Sequence, residues 1–303
     1  MKRAVSVRAG ERTVAEVLAR AGVDGRAVEE GRVFAGRRRV RRGDEPVKEG
    51  DLVEFTPPQE APEAVRVLLR EDDVVAVDKP AGMPTIADQA GAAHSLVAAA
   101  ARELGVEAAT LHPTSRLDRG VSGVVVFART QAAAERLARA RAEGTYERRY
   151  VAIAPRPPSP EAGTWDAPIG RARDPRLRMI AGRDPAAATT LYRVSARAPG
   201  GAVMLAVAPV TGRTHQIRVH ASHAGAPLLG DRDYGGPGRV TLATGRVLEP
   251  RRVALHAARV VIPGADGAPR VLRAAIPPEL EALWSALGGD AAAWEVAASC
   301  SLS

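Results

Sequence analysis

Short apolar runs bounded by turn residues dominate the chain. Residues 65–69 and 74–77, separated by Glu71, Asp72 and Asp73, have the pattern of a hairpin. Further runs at 124–128, 146–154, 191–194, 203–210 and 253–262 predict strands by their length and β-branched content. Helical spacing is confined to fewer stretches. Val14, Val17 and Leu18 fall at i, i+3 and i+4, with Thr13 and Glu16 at capping-box spacing. Residues 26–30 (ended by Gly31), 95–104, 131–143 (stopped by Gly144), 212–224 and 277–287 also read as helices, the last with Leu280, Leu283 and Trp284 inward. Strands outnumber helices and do not alternate with them. An α+β fold is therefore predicted, a mixed, largely antiparallel sheet with flanking helices, rather than a doubly wound one.

The polar intervals divide the chain. Residues 1–57 read as a small α/β unit, 58–63 as part of a Pro-rich linker, and 64–289 as the main domain. Residues 155–185 and 235–250 read as irregular loops, and the small-residue tail 290–303 as flexible. Inside the first unit, Arg37, Arg38, Arg39, Arg41 and Arg42 place five arginines in six positions between two apolar strands. Such a run is a solvated face or a basic hairpin turned toward phosphate.

Charge sharpens this choice. The 303 residues carry a formal net charge of +8, with most of the cations arginine. Guanidinium forks match phosphate oxygens, so nucleic acid is the first partner to consider. Aromatic residues are only 3% of the chain, which argues against binding through a broad stacking platform. Cys300 is the single cysteine, so neither an intrachain disulfide nor a cysteine metal site can form. No stretch approaches a membrane span and the N-terminus lacks a signal-peptide core, so a cytoplasmic monomer without a membrane partner is expected.

Chemistry concentrates around Asp118. It lies between Arg116 and Arg119 on a loop that delivers the chain into the buried run 124–128. Alone, an aspartate there caps a turn. Other loaded stretches accompany it: Arg148-Arg149-Tyr150 heading a strand, Gly212-Arg213-Thr214-His215-Gln216-Ile217-Arg218-Val219-His220, Leu255-His256-Ala257, and Lys79-Pro80-Ala81-Gly82 upstream. His215 and His220 do not share helical metal-ligand spacing, so no metal is expected. Asp231-Arg232-Asp233 reads as a turn.

In order and spacing, these stretches over residues 64–285 resemble the RluA-type pseudouridine synthases. Ala188-x-Thr190-x-Tyr192 and Gly230-Asp231-x-x-Tyr234 extend the match, and residues 1–57 resemble an S4 RNA-binding domain. Ser115, Val121 and the loop after Lys79-Pro80 depart from the family pattern. The resemblance implies isomerisation of uridine in RNA without a cofactor. Large-subunit ribosomal RNA is the expected substrate and transfer RNA the alternative. It implies Asp118 as nucleophile or base at the ribose, Arg218 as its ion-pair partner, and Tyr150 beside the uracil. Arg116 would fill the gap left by the everted base, and Arg119, Arg213, His215, Gln216 and the basic run would contact RNA, with His215 and Gln216 also read as holding their helix against the Asp118 loop. A non-catalytic RNA-binding or ribosome-assembly factor and a nucleosidase releasing uracil are the rival readings.

Overall fold

The computed structural model describes residues 3–29, 31–36, 38–55, 64–87 and 93–302. Arg37 and the expected linker 58–63 lie outside the described residues. The chain divides into two compact units, Met1–Val65 with Met83–Ala108, and Arg66–Gly82 with Ala109–Ser303. The boundary thus differs from the expected one, because residues 83–108 group with the N-terminal segment.

In the first unit, β1 (Arg3–Ser6), β2 (Val33–Ala35), β3 (Arg38–Arg39) and β4 (Leu52–Phe55) form a sheet in the order β1-β4-β2-β3. Helices α1 (Val14–Arg20) and α2 (Arg26–Glu29) supply Val14, Val17, Leu18, Ala27 and Val28 to a core shared with Val33, Val53 and Phe55. The capping box forms: Thr13 Oγ1 accepts from Glu16 N, and Glu16 Oε2 accepts from Thr13 N. Helix α3 (Leu96–Leu104) begins at the Ser95 cap and ends at Gly105, whose φ of 67° closes the C-terminus.

The second unit contains β5 (Arg66–Arg70), β6 (Val74–Lys79), β7 (His112–Pro113), β8 (Ser122–Ala128), β9 (Glu147–Ala154), β10 (Ala162–Trp165), β11 (Ile169–Arg171), β12 (Arg178–Ile180), β13 (Arg183–Ala186), β14 (Thr190–Arg197) and β15 (Val203–Pro209). After them come β16 (Val240–Thr241), β17 (Val247–Leu248), β18 (Leu255–Pro263) and β19 (Pro269–Arg273). Among the described residues, a ten-stranded sheet runs β10-β14-β15-β9-β18-β8-β6-β5, with β19 on β18 and β7 on β8. Its pairs are antiparallel except β18 with β8, so the mixed, largely antiparallel α+β architecture is the one observed.

Helix α4 (Gln131–Ala142) lays Ala133, Leu137 and Ala140 against Val124, Val126 and Ile262. Elsewhere on this unit, α6 (Pro278–Ala286) and α7 (Ala293–Ser299) bury Leu280, Trp284, Trp294, Ala297 and Ala298 with Val151, Ile153 and Met204. The expected flexible tail is therefore corrected. Ala293, Trp294, Ala297 and Ala298 recur at helical spacing, and their burial orders the segment. Residues 155–185, expected to be irregular, instead supply β10 and the three-stranded sheet β12-β11-β13, and β16 pairs with β17 within 235–250.

Candidate active site

Strand β8 is buried along its whole length and carries the Asp118 loop at its entrance. Leu117 is buried beside the acid, and Val121 N donates to Asp118 O at 3.0 Å, closing a turn. Arg119 pins the loop to the turn after β6: its Nε donates to Gly82 O at 2.7 Å, while Gly82 N donates to Arg119 O at 2.7 Å. Arg252 adds a bond from Nη1 to Gly120 O at 3.4 Å. At Gly123, φ is +118° and an added Cβ would stand 2.2 Å from Ala257 O, so only glycine allows β8 this approach to β18. On the same parallel pair, Ser122 Oγ lies 2.8 Å from His256 Nδ1, and burial pushes His256 down to about 4.

Beneath the loop sits Lys79, with none of its surface exposed. Its Nζ donates to Pro80 O at 2.9 Å and Arg119 O at 3.4 Å. Burial pushes this ammonium down to about 7, against the pull of Asp118 and with the push of Arg252 and Arg119.

Arg218 reaches Asp118 from helix α5 (Gln216–His223). Its Nη1 donates to Asp118 Oδ2 at 3.3 Å. The other edge of the guanidinium is held by Asp231, with Nε to Oδ2 at 2.8 Å and Nη2 to Oδ1 at 2.7 Å, and Nη2 also donates to Asp233 Oδ2 at 2.8 Å. The Tyr234 ring lies 4.8 Å from Arg218 Cζ. Burial works against the cation, but hydrogen bonds and charge from Asp231, Asp118 and Asp233 hold it well above the usual guanidinium range. Asp231, expected only to shape a turn, is the principal anchor of Arg218. Its place in Gly230-Asp231-x-x-Tyr234 was the available signal.

Tyr150 enters on β9, opposite Val207 of β15, and is buried. Burial pushes the phenol up to about 12; the Arg148 charge opposes this and Asp118 adds to it. Asp118 is thus paired directly with Arg218, and its charge is also felt at Tyr150. His215 joins them, with Nε2 3.9 Å from Asp118 Oδ1.

The expected helix over 212–224 begins later, at Gln216, because His215 takes a left-handed backbone (φ 59°). Gln216, expected among the RNA contacts, is buried, and its amide is fully used inside the protein. Nε2 donates to Thr189 O and Thr190 Oγ1 at 2.9 Å, while Oε1 accepts from Thr211 Oγ1 at 2.7 Å and Arg213 N at 2.9 Å. It fixes the start of α5 and has nothing left to offer RNA. His220 continues this wiring, with Nδ1 on Thr190 Oγ1 and Nε2 on Ala167 O, both at 2.9 Å. Arg148 Nη2 braces the turn before α5 through Pro209 O at 2.7 Å and Thr211 O at 2.9 Å. Arg116 and Arg213 are exposed, the latter donating from Nε to Ala187 O at 2.9 Å. In the first unit, Arg38, Arg39, Arg41 and Arg42 are exposed; Arg38 pairs with Glu45, and Arg42 with Asp44.

A mixed, largely antiparallel sheet here carries a loop carboxylate paired with a buried guanidinium, and a buried tyrosine on a neighbouring strand. Residues 73–223 match the model of the RNA pseudouridylate synthase family. Ribosomal large subunit pseudouridine synthase D of Xanthomonas campestris is 34% identical over 246 residues, covering 78% of this chain and 72% of the relative. Dual-specificity RNA pseudouridine synthase RluA of Salmonella typhimurium is 32% identical, covering 69% and 90%. Among solved structures, human RNA pseudouridylate synthase domain containing 4 superposes with a TM-score of 0.58 at 25% identity, covering 73% of this chain and 92% of that one. The chain belongs to the RNA pseudouridine synthases. It isomerises uridine to pseudouridine in RNA.

Proposed function

We propose that this enzyme modifies large-subunit ribosomal RNA, with Asp118 as the group that meets the ribose of an everted uridine. The observation that carries the role of Asp118 is its ion pair with Arg218 at 3.3 Å, formed at the mouth of a buried strand. The similarity to a synthase named for the large ribosomal subunit supports the substrate. The exposed arginines of β3 and its flanks, on a unit read as S4-like, support RNA binding by that unit.

In the reaction the N1–C1′ bond breaks, the uracil turns, and C5 bonds to C1′. The C5 proton leaves and N1 gains one, so the product is an isomer. Asp118 stabilises C1′ while the base is detached, as nucleophile or as base at the sugar. Arg218 holds the carboxylate in place for that step. Tyr150 packs against the uracil as a phenol at neutral pH. It takes the C5 proton only while passing its own to an acceptor. Leu117 and the apolar strand behind the loop keep water from the separated base.

The test is release of the C5 hydrogen from labelled transcripts of large-subunit ribosomal RNA and of transfer RNA. Asp118→Asn should abolish release while RNA binding persists. Turnover confined to transfer RNA would overturn the substrate, and wild-type rates in Asp118→Asn would overturn the mechanism.

A further inference from the structure

We propose that His215 is a second hold on the Asp118 carboxylate, a positioning residue whose ring proton is fixed on Nε2 by the hydroxyl of Tyr234. The inference rests on the reading of Asp118 as the acid at the ribose. It begins from an outlier: His215 is a non-glycine residue with φ 59° and ψ 17°, and it makes no side-chain cap bond to the helix it opens. Left-handed backbone of this kind persists where surrounding contacts over-determine it.

Those contacts define a direction for the protons. Arg178 N donates to the Tyr234 hydroxyl at 3.0 Å, and the same hydroxyl lies 2.6 Å from His215 Nδ1. Among the described residues these are its two hydrogen-bond partners. With the phenolic oxygen already accepting from Arg178, the proposal assigns its own proton to Nδ1. An imidazole that accepts at Nδ1 carries its proton on Nε2 when neutral. Nε2 is the nitrogen that faces Asp118 Oδ1, at 3.9 Å, while Arg218 Nη1 faces Oδ2 at 3.3 Å. One donor is thus assigned to each carboxylate oxygen, which sets the plane of the acid toward the sugar. At 3.9 Å the Nε2 contact is longer than a hydrogen bond, and the proposal requires it to shorten when substrate binds. Burial keeps the ring neutral against the pull of Asp118, in accord with a donor rather than a second cation. The Tyr234 ring stands edge-on to the imidazole, with centroids 5.6 Å apart and planes at 80°, which holds the orientation.

The experiment combines nitrogen NMR of the His215 ring in the wild-type enzyme with steady-state kinetics of three variants. The wild type should show the Nε2-protonated tautomer. His215→Phe keeps a ring but loses the donor, and should lower kcat about tenfold with KM little changed. His215→Gln returns an N–H near the Nε2 position and should recover most of kcat. Tyr234→Phe keeps the ring under Arg218, frees the tautomer and should also lower kcat, so the proposal stays testable if His215→Phe does not fold. An Nδ1-protonated wild-type ring, or folded His215→Phe with wild-type kcat, would overturn it. Where Asp118→Asn is inactive and His215→Phe is not slowed, the fault lies with this inference. Where Asp118→Asn stays active, it lies with the reading of Asp118, and this inference falls too.

Discussion

Two carboxylates touch the same nitrogen of Arg218 at almost the same distance, 2.7 Å for Asp231 and 2.8 Å for Asp233. Distance alone gives them equal weight; burial separates them. The Asp231 side chain is 0% exposed and that of Asp233 is 56% exposed. Asp231→Asn removes a buried charge and turns an amide toward a guanidinium that can only donate. Breaking one partner from a buried pair costs about 3–5 kcal/mol. The lower end applies here, because Asp118 stays on Nη1 and Asp233 on Nη2. For a domain of this size, about 3 kcal/mol corresponds to a fall in Tm of roughly 6–12 °C. The freed guanidinium should also hold Asp118 less firmly, so kcat should fall with Tm. Asp233→Asn, at a solvated site, should cost no more than about 1 kcal/mol. Thermal unfolding by circular dichroism and C5-hydrogen release measure the two effects on one sample. Equal Tm values for the two variants, or an Asp231→Asn enzyme within about 2 °C of wild type and fully active, would refute Asp231 as the anchor of Arg218.

Gly123→Ala should destabilise the protein by about 3 kcal/mol or more, because its Cβ would meet Ala257 O at 2.2 Å in a packed strand pair. Gly105→Ala, with φ 67° but nothing within 4 Å, should cost only the left-handed backbone term of about 1–2 kcal/mol; urea unfolding compares them. Burial pushes His256 down to about 4 in the folded protein from an ordinary 6.5. Between those pH values the unfolded chain binds the extra proton, so stability falls as pH drops through this window by about 1.4 kcal/mol per unit from this ring. His256→Asn should remove that part of the slope in urea titrations between pH 4.5 and 7. An unchanged slope would mean that the ring is not held neutral.

Legibility in the sequence followed the range of the interactions involved. Residues 124–128 and 203–209 are continuous apolar runs, and a run with no polar face has only a buried strand or buried helix open to it. Thr13 and Glu16 likewise announce α1, since both halves of the capping box lie within four residues. The sheet of β11, β12 and β13 gave no such sign. Its strands are three or four residues long and each carries an arginine, and Arg178 N is tied to Tyr234, 56 residues away. The tail was misread for a different reason: alanine is small enough to suggest fraying, yet Ala297 and Ala298 bury fully enough beside Trp294 to dock α7.

The site divides along the same line. Asp118, Tyr150 and Arg218 stand out in the sequence by their company in separated stretches. What each neighbour does depends on orientation, which residue type does not carry. Gln216 and His215 stand side by side in the same segment. The left-handed turn at His215 sends the glutamine into the protein, where every amide hydrogen is used, and turns the histidine toward Asp118. A shared stretch of sequence therefore contains two different functions, one bracing α5 and one facing the acid. The backbone angle of a single residue decides which is which.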